Sequence, residues 1–173
     1  MKHLYYIRHG LSEMNKAGLF AGSTDTPLTE EGRIAALAAG KKSKALSIDT
    51  IVASPLSRAL DTAQLFAEGA ELPPEIILTN KLLVERDFGI LENTVWAAGI
   101  SRRLLDDNLP EGVEPWSVLV GRAQKLLEEL NDLPSEHVLL VGHGGIGRAL
   151  RSVVLPDTDV NEMIPNTELI RLI

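Results

Sequence analysis

Leu4-Tyr5-Tyr6-Ile7-Arg8-His9-Gly10 is the stretch whose reading decides the fold. A short continuous apolar run that stops abruptly at a charged, glycine-containing turn reads as a buried strand delivering polar side chains to a sheet edge. In open α/β sheets that edge is where ligands bind. Further strand-like runs lie at Thr50 to Ala53, Ile76 to Leu78, Val138 to Val141 and Leu169 to Ile173, with helix-like segments between them. That alternation predicts an α/β fold: a mostly parallel central sheet covered by helices on both faces.

The first long helix is predicted from Leu28-Thr29-Glu30-Glu31, with Thr29 as N-cap, two acids in the first turn, and Ile34, Leu37 and Ala38 turned inward. A second is expected after Ser54-Pro55, where proline suits the first helical position. A third, from about Pro115 to Leu130, places Trp116, Leu119, Val120, Ala123, Leu126, Leu127 and Leu130 at helical spacing, a stripe read as core. Between Phe88 and Val113 the periodicity breaks down around Trp96, Arg102-Arg103, Asp106-Asp107 and Pro110-Glu111-Gly112. A helix followed by a loop covering the sheet edge is expected there, and coverings of that kind usually decide substrate choice.

A chain of 173 residues, 45% hydrophobic and 24% charged, is expected to form one domain over residues 1–173 with one core. The formal net charge of -7 argues against binding to nucleic acid or to an anionic membrane. It leaves room for a local arginine pocket that takes a small anion. Met1-Lys2-His3 runs straight into the first strand, with no space for a signal peptide, and no apolar run approaches the roughly 20 residues that span a bilayer. A cytoplasmic protein is therefore expected. The absence of cysteine rules out disulfides, zinc-thiolate sites and cysteine nucleophiles.

Four fragments at predicted strand ends or turns offer groups suited to phosphate. They are Arg8-His9, Ser54-Pro55-Leu56-Ser57-Arg58, Glu85-Arg86-Asp87-Phe88-Gly89 and Gly142-His143-Gly144-Gly145. Arg58 falls in the first turn of a helix, whose amides and dipole also favour an anion. Phosphoryl transfer without a metal needs a nucleophile in line with phosphorus and positive donors on the equatorial oxygens. Neutral imidazole can be that nucleophile, because its ordinary pKa of ~6.5 leaves much of it unprotonated near neutrality. Arginine brings permanent charge and a planar fork that matches phosphate. A carboxylic acid must protonate the leaving alkoxide and later deprotonate the incoming water.

Taken together, Arg8-His9-Gly10-Leu11-Ser12-Glu13-Met14-Asn15 and Val141-Gly142-His143-Gly144-Gly145 resemble the histidine phosphatase superfamily, which includes the cofactor-dependent phosphoglycerate mutases. Gly22-Ser23-Thr24-Asp25-Thr26-Pro27-Leu28-Thr29-Glu30-Glu31-Gly32 is similar to a further family segment, so the likeness runs from Leu4 to about Gly89 and again around His143. The resemblance implies a three-layer αβα sandwich of the phosphoglycerate mutase type. It implies that His9 is the nucleophile, that Arg8, Arg58 and His143 clamp the phosphoryl oxygens, and that Glu85 is acid and base. By the same match Asn15, Gly22 and Gly144 would contact the phosphate, with no metal and no cofactor.

Plainer readings stand beside these roles. The alternatives are a surface salt bridge from Arg58 to Asp61 or Glu85, a strand-end role for His143 satisfied by backbone, and a turn role for Asn15. His3 and His137 are read as ordinary surface residues. Arg102-Arg103 and Arg122 stand between a solvated face and a substrate contact. Ala21 departs from the threonine common in mutases, and Leu91-Glu92-Asn93 and Gly112-Val113-Glu114 depart from phosphatase patterns.

The expected function is metal-independent hydrolysis of a small phosphomonoester through a phosphohistidine. The segment between Glu85 and His143 is shorter than the insertion with which mutases enclose phosphoglycerate, and an open site admits water. A phosphoglycerate mutase is the alternative, supported by Arg102-Arg103, which looks like the pair mutases use near the substrate carboxylate. A phosphohistidine-protein phosphatase and an inactive phosphate-binding or scaffold protein complete the set.

Overall fold

The computed structural model describes residues 2–97, 100–105 and 108–173, with only the backbone of Ser101. Five strands, β1 (His3–Arg8), β2 (Thr50–Ala53), β3 (Ile77–Thr79), β4 (His137–Gly142) and β5 (Leu169–Arg171), form one sheet in the order β3-β2-β4-β1-β5. The first four run parallel; β5 closes the edge antiparallel to β1, with Ile7 opposite Leu169 and Tyr5 opposite Arg171. β4 lies at the centre, and Val138 to Val141 are wholly buried.

Alternate strand residues feed opposite layers, as the twofold period of a strand requires. Leu4, Tyr6, Val52, Val138 and Leu140 pack with Leu119, Ala123, Leu126 and Leu130 of α5 (Trp116–Asn131) and with Ile146, Ala149 and Leu150 of α6 (Gly144–Val154). Tyr5, Ile7, Ile51, Ala53, Leu139 and Val141 pack with Ala59, Ala63, Phe66 and Ala67 of α3 (Ser57–Ala70). The result is the expected three-layer sandwich. Each fully buried aliphatic side chain in these layers contributes about 1.5–3 kcal/mol relative to exposure. Among the described residues no helix is long and apolar enough to cross a membrane.

Three expectations need correction. Thr29 does cap α2 (Glu30–Lys42), its hydroxyl accepting from the Gly32 amide at 3.0 Å, but the helix buries Gly32, Ala36 and Gly40 while Ile34 is 61% exposed. The reason is that α2 packs on α3 rather than on the sheet, backbone to backbone. A Cβ on Gly40 would lie 2.1 Å from the Phe66 carbonyl oxygen, and one on Gly69 2.1 Å from that of Leu37. Large side chains are turned out of so close a crossing.

The second correction concerns α3, which starts at Ser57 rather than Pro55, because Leu56 is still extended. Its first turn is capped from outside: Asp25 Oδ1 accepts from the Ser57 amide at 3.0 Å and from its hydroxyl at 2.7 Å. The third concerns the covering segment, whose α4 is only Ile100–Arg103, preceded by a 3₁₀ turn at Gly89–Leu91. It is pinned by single β-bridges, Leu19 to Val95 and Phe88 to Val113, over a small cluster of Phe20, Phe88, Leu104 and Val113. Asp106 and Asp107 lie outside the described residues.

Candidate active site

β1, β4 and β2 end side by side, Arg8 opposite Gly142 and Ala53 opposite Val141. The residues that follow, His9, His143 and Ser54, therefore emerge together at one sheet edge, where the His9 amide still donates to Gly142 O and the Ser54 amide to Val141 O, both at 2.9 Å. His9 is 3% exposed. Its Nδ1 lies 2.6 Å from the Gly10 carbonyl oxygen; a carbonyl only accepts, so Nδ1 carries the proton and Nε2 keeps its lone pair. Arg58 Nε donates to that Nε2 at 3.2 Å. Burial first, then the charges of Arg58 and Arg8, hold His9 well below the usual histidine pKa, so it is neutral at pH 7.

His143 stands edge-on to His9, ring centroids 5.1 Å apart. Its Nε2 lies 2.8 Å from Ser54 Oγ, and its carbonyl accepts from the buried Tyr6 hydroxyl at 2.5 Å. Its Nδ1 is buried with no partner among the described residues. Burial, followed by Arg58, His9 and Arg8, keeps this imidazole neutral too.

Arg58 forms neither of the salt bridges considered for it; Asp61 pairs with Arg33 instead. Its two terminal nitrogens donate to Thr24 O at 2.9 Å and Gly22 O at 2.8 Å. Gly22 thus meets Arg58 through its carbonyl, in a turn at φ 52° that glycine adopts readily. The turn is held by Glu92, which accepts from the Ser23 amide at 2.8 Å, the Thr24 amide at 3.1 Å and the Thr24 hydroxyl at 2.6 Å. Arg8 donates to Ile164 O at 2.9 Å, and its Nε is buried without a partner among the described residues.

Glu85 sits on the N-terminus of α6, accepting from the Gly145 amide at 2.9 and 3.0 Å and from the Ile146 amide at 3.2 Å. These are amides that no helical carbonyl reaches. Arg122 holds the loop that carries it, donating to the carbonyls of Leu82, Val84 and Glu85 at 3.0, 2.8 and 3.3 Å and forking onto Glu114. Arg122 is therefore a brace rather than a substrate contact. Fully buried Arg86 ties the same loop to the covering segment through Glu114 O and Leu104 O, each at 2.7 Å.

A cavity of about 320 Å³ opens over these groups. Arg8, His9, Asn15, Gly22, Arg58, Glu85 and Gly144 form its polar side, and Phe20, Phe88 and Trp96 an apolar wall. His143 stands behind His9 rather than on the wall. Asn15 closes a capping box with Ser12 at the start of α1 (Glu13–Lys16) and meets Asn166, so it is a turn residue that also faces the cavity. Arg102 and Arg103 are exposed and off the wall. His3 and His137 are half-buried at the opposite sheet edge, their rings tilted at 31° with centroids 4.6 Å apart, rather than free surface residues.

The structure adds residues that the sequence reading passed over. Asn166 donates to His9 O at 2.8 Å, from a loop with no motif around it. Glu92 was visible only as a departure from a pattern. Arg148 lines the cavity with Met163, and its signal was a lone charge in the otherwise small and apolar run Gly144 to Leu150.

A family model described as histidine phosphatase superfamily (branch 1) matches residues 4–172. A Cronobacter sakazakii protein named probable phosphoglycerate mutase GpmB is 32% identical over 166 residues, 90% of this chain and 75% of its own. Among solved structures, a mycobacterial glucosyl-3-phosphoglycerate phosphatase in complex with VO3 superposes with a TM-score of 0.85 at 26% identity, covering 99% of this chain and 92% of that one. A mycobacterial hydrolase gives 0.83 at 27% identity over 98% and 90%.

Proposed function

Since the chain belongs to the histidine phosphatase superfamily, branch 1, we propose that it is a metal-independent phosphomonoester hydrolase acting through a phosphohistidine on His9. The observation that carries this reading is the tautomer of His9: Nδ1–H is spent on the Gly10 carbonyl, which leaves the Nε2 lone pair beside Arg58. An anion drawn to that guanidinium meets the lone pair. Nε2 attacks phosphorus, the ester P–O bond breaks, and Glu85 protonates the departing alkoxide. Water then attacks the phosphohistidine, gives its proton to Glu85, and the P–N bond breaks to release inorganic phosphate. Arg8 and Arg58 hold the equatorial oxygens throughout, while His143, edge-on to His9 and off the cavity wall, backs the ring of the nucleophile.

The substrate class is a small phosphorylated metabolite, which the cavity of about 320 Å³ accommodates. The phosphatase and hydrolase named among the structural relatives favour hydrolysis. A mutase reading draws on the relative named probable phosphoglycerate mutase, but the arginine pair expected to hold a substrate carboxylate in that case, Arg102-Arg103, stands off the cavity. The test is phosphate release from a panel of phosphomonoesters in EDTA, wild type against His9→Ala, with 3-phosphoglycerate also followed for isomerisation. Release that survives EDTA and vanishes in His9→Ala is expected. Turnover that needs an added divalent ion, or isomerisation far faster than release, would overturn the proposal.

A further inference from the structure

We propose that Arg148 is a second anion-binding group of the cavity, taking a carboxylate or further phosphate that the substrate carries away from its reacting phosphoryl group. The proposal rests on the phosphatase reading of the same cavity. Arg148 is 4% exposed, yet it forms part of the cavity wall. One face of its guanidinium is covered by the Trp116 ring, whose centroid is 5.6 Å from Cζ. Its Nη1 has only the Met163 sulfur at 3.7 Å, a weak acceptor, and its Nε is buried with no partner among the described residues.

Neighbouring arginines are treated differently. Arg122 has the carboxylate of Glu114 and Arg151 that of Glu162, whereas among the described residues no carboxylate lies within ion-pair distance of Arg148. A buried charge without a partner is costly, so a site that keeps one is prepared for a ligand that supplies it. The planar fork of arginine fits a carboxylate or a phosphate equally.

Placement sets the spacing. His143 is the N-cap of α6 and Arg148 lies on the same helix, about 7.5 Å further along the axis at 1.5 Å per residue. Phosphoryl group and second anion would thus be gauged by one rigid element, with Phe20, Phe88 and Trp96 facing the skeleton between them. Arg102 and Arg103 do not compete for this role.

The test compares two esters that differ only where the second anion stands. 3-Phosphoglycerate carries a carboxylate where glycerol 3-phosphate carries a hydroxymethyl group. Both are titrated calorimetrically into the full-length His9→Ala protein, which forms no phosphohistidine, with and without R148M. R148M keeps a stem over Trp116 and removes the guanidinium. Without R148M, 3-phosphoglycerate should bind about 10- to 100-fold more tightly, the range for a charge-assisted hydrogen-bonded contact. In R148M that ratio should fall towards one.

A ratio near one before Arg148 is touched would overturn the proposal even if R148M failed to fold. So would a ratio that R148M, or R148Q as a second replacement, leaves unchanged. Phosphate release by wild type from the whole panel of phosphomonoesters, 3-phosphoglycerate included, is read separately. Its absence beside a retained binding ratio would remove the hydrolase reading and leave the second anion site standing.

Discussion

Glu92 touches neither histidine, yet it determines where Arg58 points. It accepts from Ser23 and Thr24, whose turn offers the carbonyls of Gly22 and Thr24 to Arg58, and that guanidinium then reaches His9 Nε2. Burial works to raise its pKa, but the hydrogen bonds from Thr24, Ser23 and Phe88 outweigh it and hold the carboxyl below the usual range. Glu92→Ala should therefore weaken the binding of inorganic phosphate by about 10- to 100-fold, the scale of lost charge-assisted hydrogen bonds, with the fold retained by circular dichroism. Unaltered phosphate affinity in calorimetry would remove the link from Glu92 to Arg58. At this scale Arg8, His9, Arg58, Glu85 and His143 were legible in the sequence, because each ends or follows a strand, sits in the first turn of a helix or, for Glu85, lies in a loop within a recognisable spacing. Glu92, Asn166 and Arg148 were not. Their partners lie far away in the chain, and only the folded topology brings them together.

Among the elements, the crossing of α2 and α3 is the one where bulk is least welcome. Gly69→Ala would set a methyl group against the Leu37 carbonyl, so it should destabilise by about 1–3 kcal/mol despite the better helix propensity of alanine. Gly121, on α5, has nothing within 4 Å of the corresponding position. The same substitution there should stabilise by about 0.8–1 kcal/mol. Denaturant midpoints of the pair check this, and equal shifts of one sign would contradict the backbone-to-backbone packing. The inner strands β1, β2 and β4 were read well from the sequence because runs buried on both faces are continuous. The inward face of α2 was not, since apolar periodicity points to large side chains and this interface is made by their absence. The start of α3 was displaced for a related reason: its cap, Asp25, comes from another segment.

For the molecule as a whole, two buried neutral imidazoles link folding to pH. His9 and His143 both have folded pKa values well below 6.5, so below about pH 6.5 the unfolded chain binds protons that the folded one refuses. Their contribution is fully present above pH 6.5 and is lost as pH falls, by up to about 1.4 kcal/mol per histidine per pH unit. The denaturation midpoint should accordingly drop between pH 7 and 5, above the range where ordinary carboxylates titrate, and drop less steeply in His9→Ala. A midpoint flat across that interval would contradict the neutral assignment. The layered architecture was visible in the sequence from the alternation of elements, whereas the cavity's two ends were not, because α6 and the covering segment meet only in three dimensions. One consequence concerns light. The chain has two tryptophans, and both flank the cavity, Trp96 on its apolar wall and Trp116 beneath Arg148. With no indole elsewhere, the protein's tryptophan emission, excited beyond the absorption of Tyr5 and Tyr6, is a view of that cavity alone, and occupancy can be watched in the unlabelled molecule.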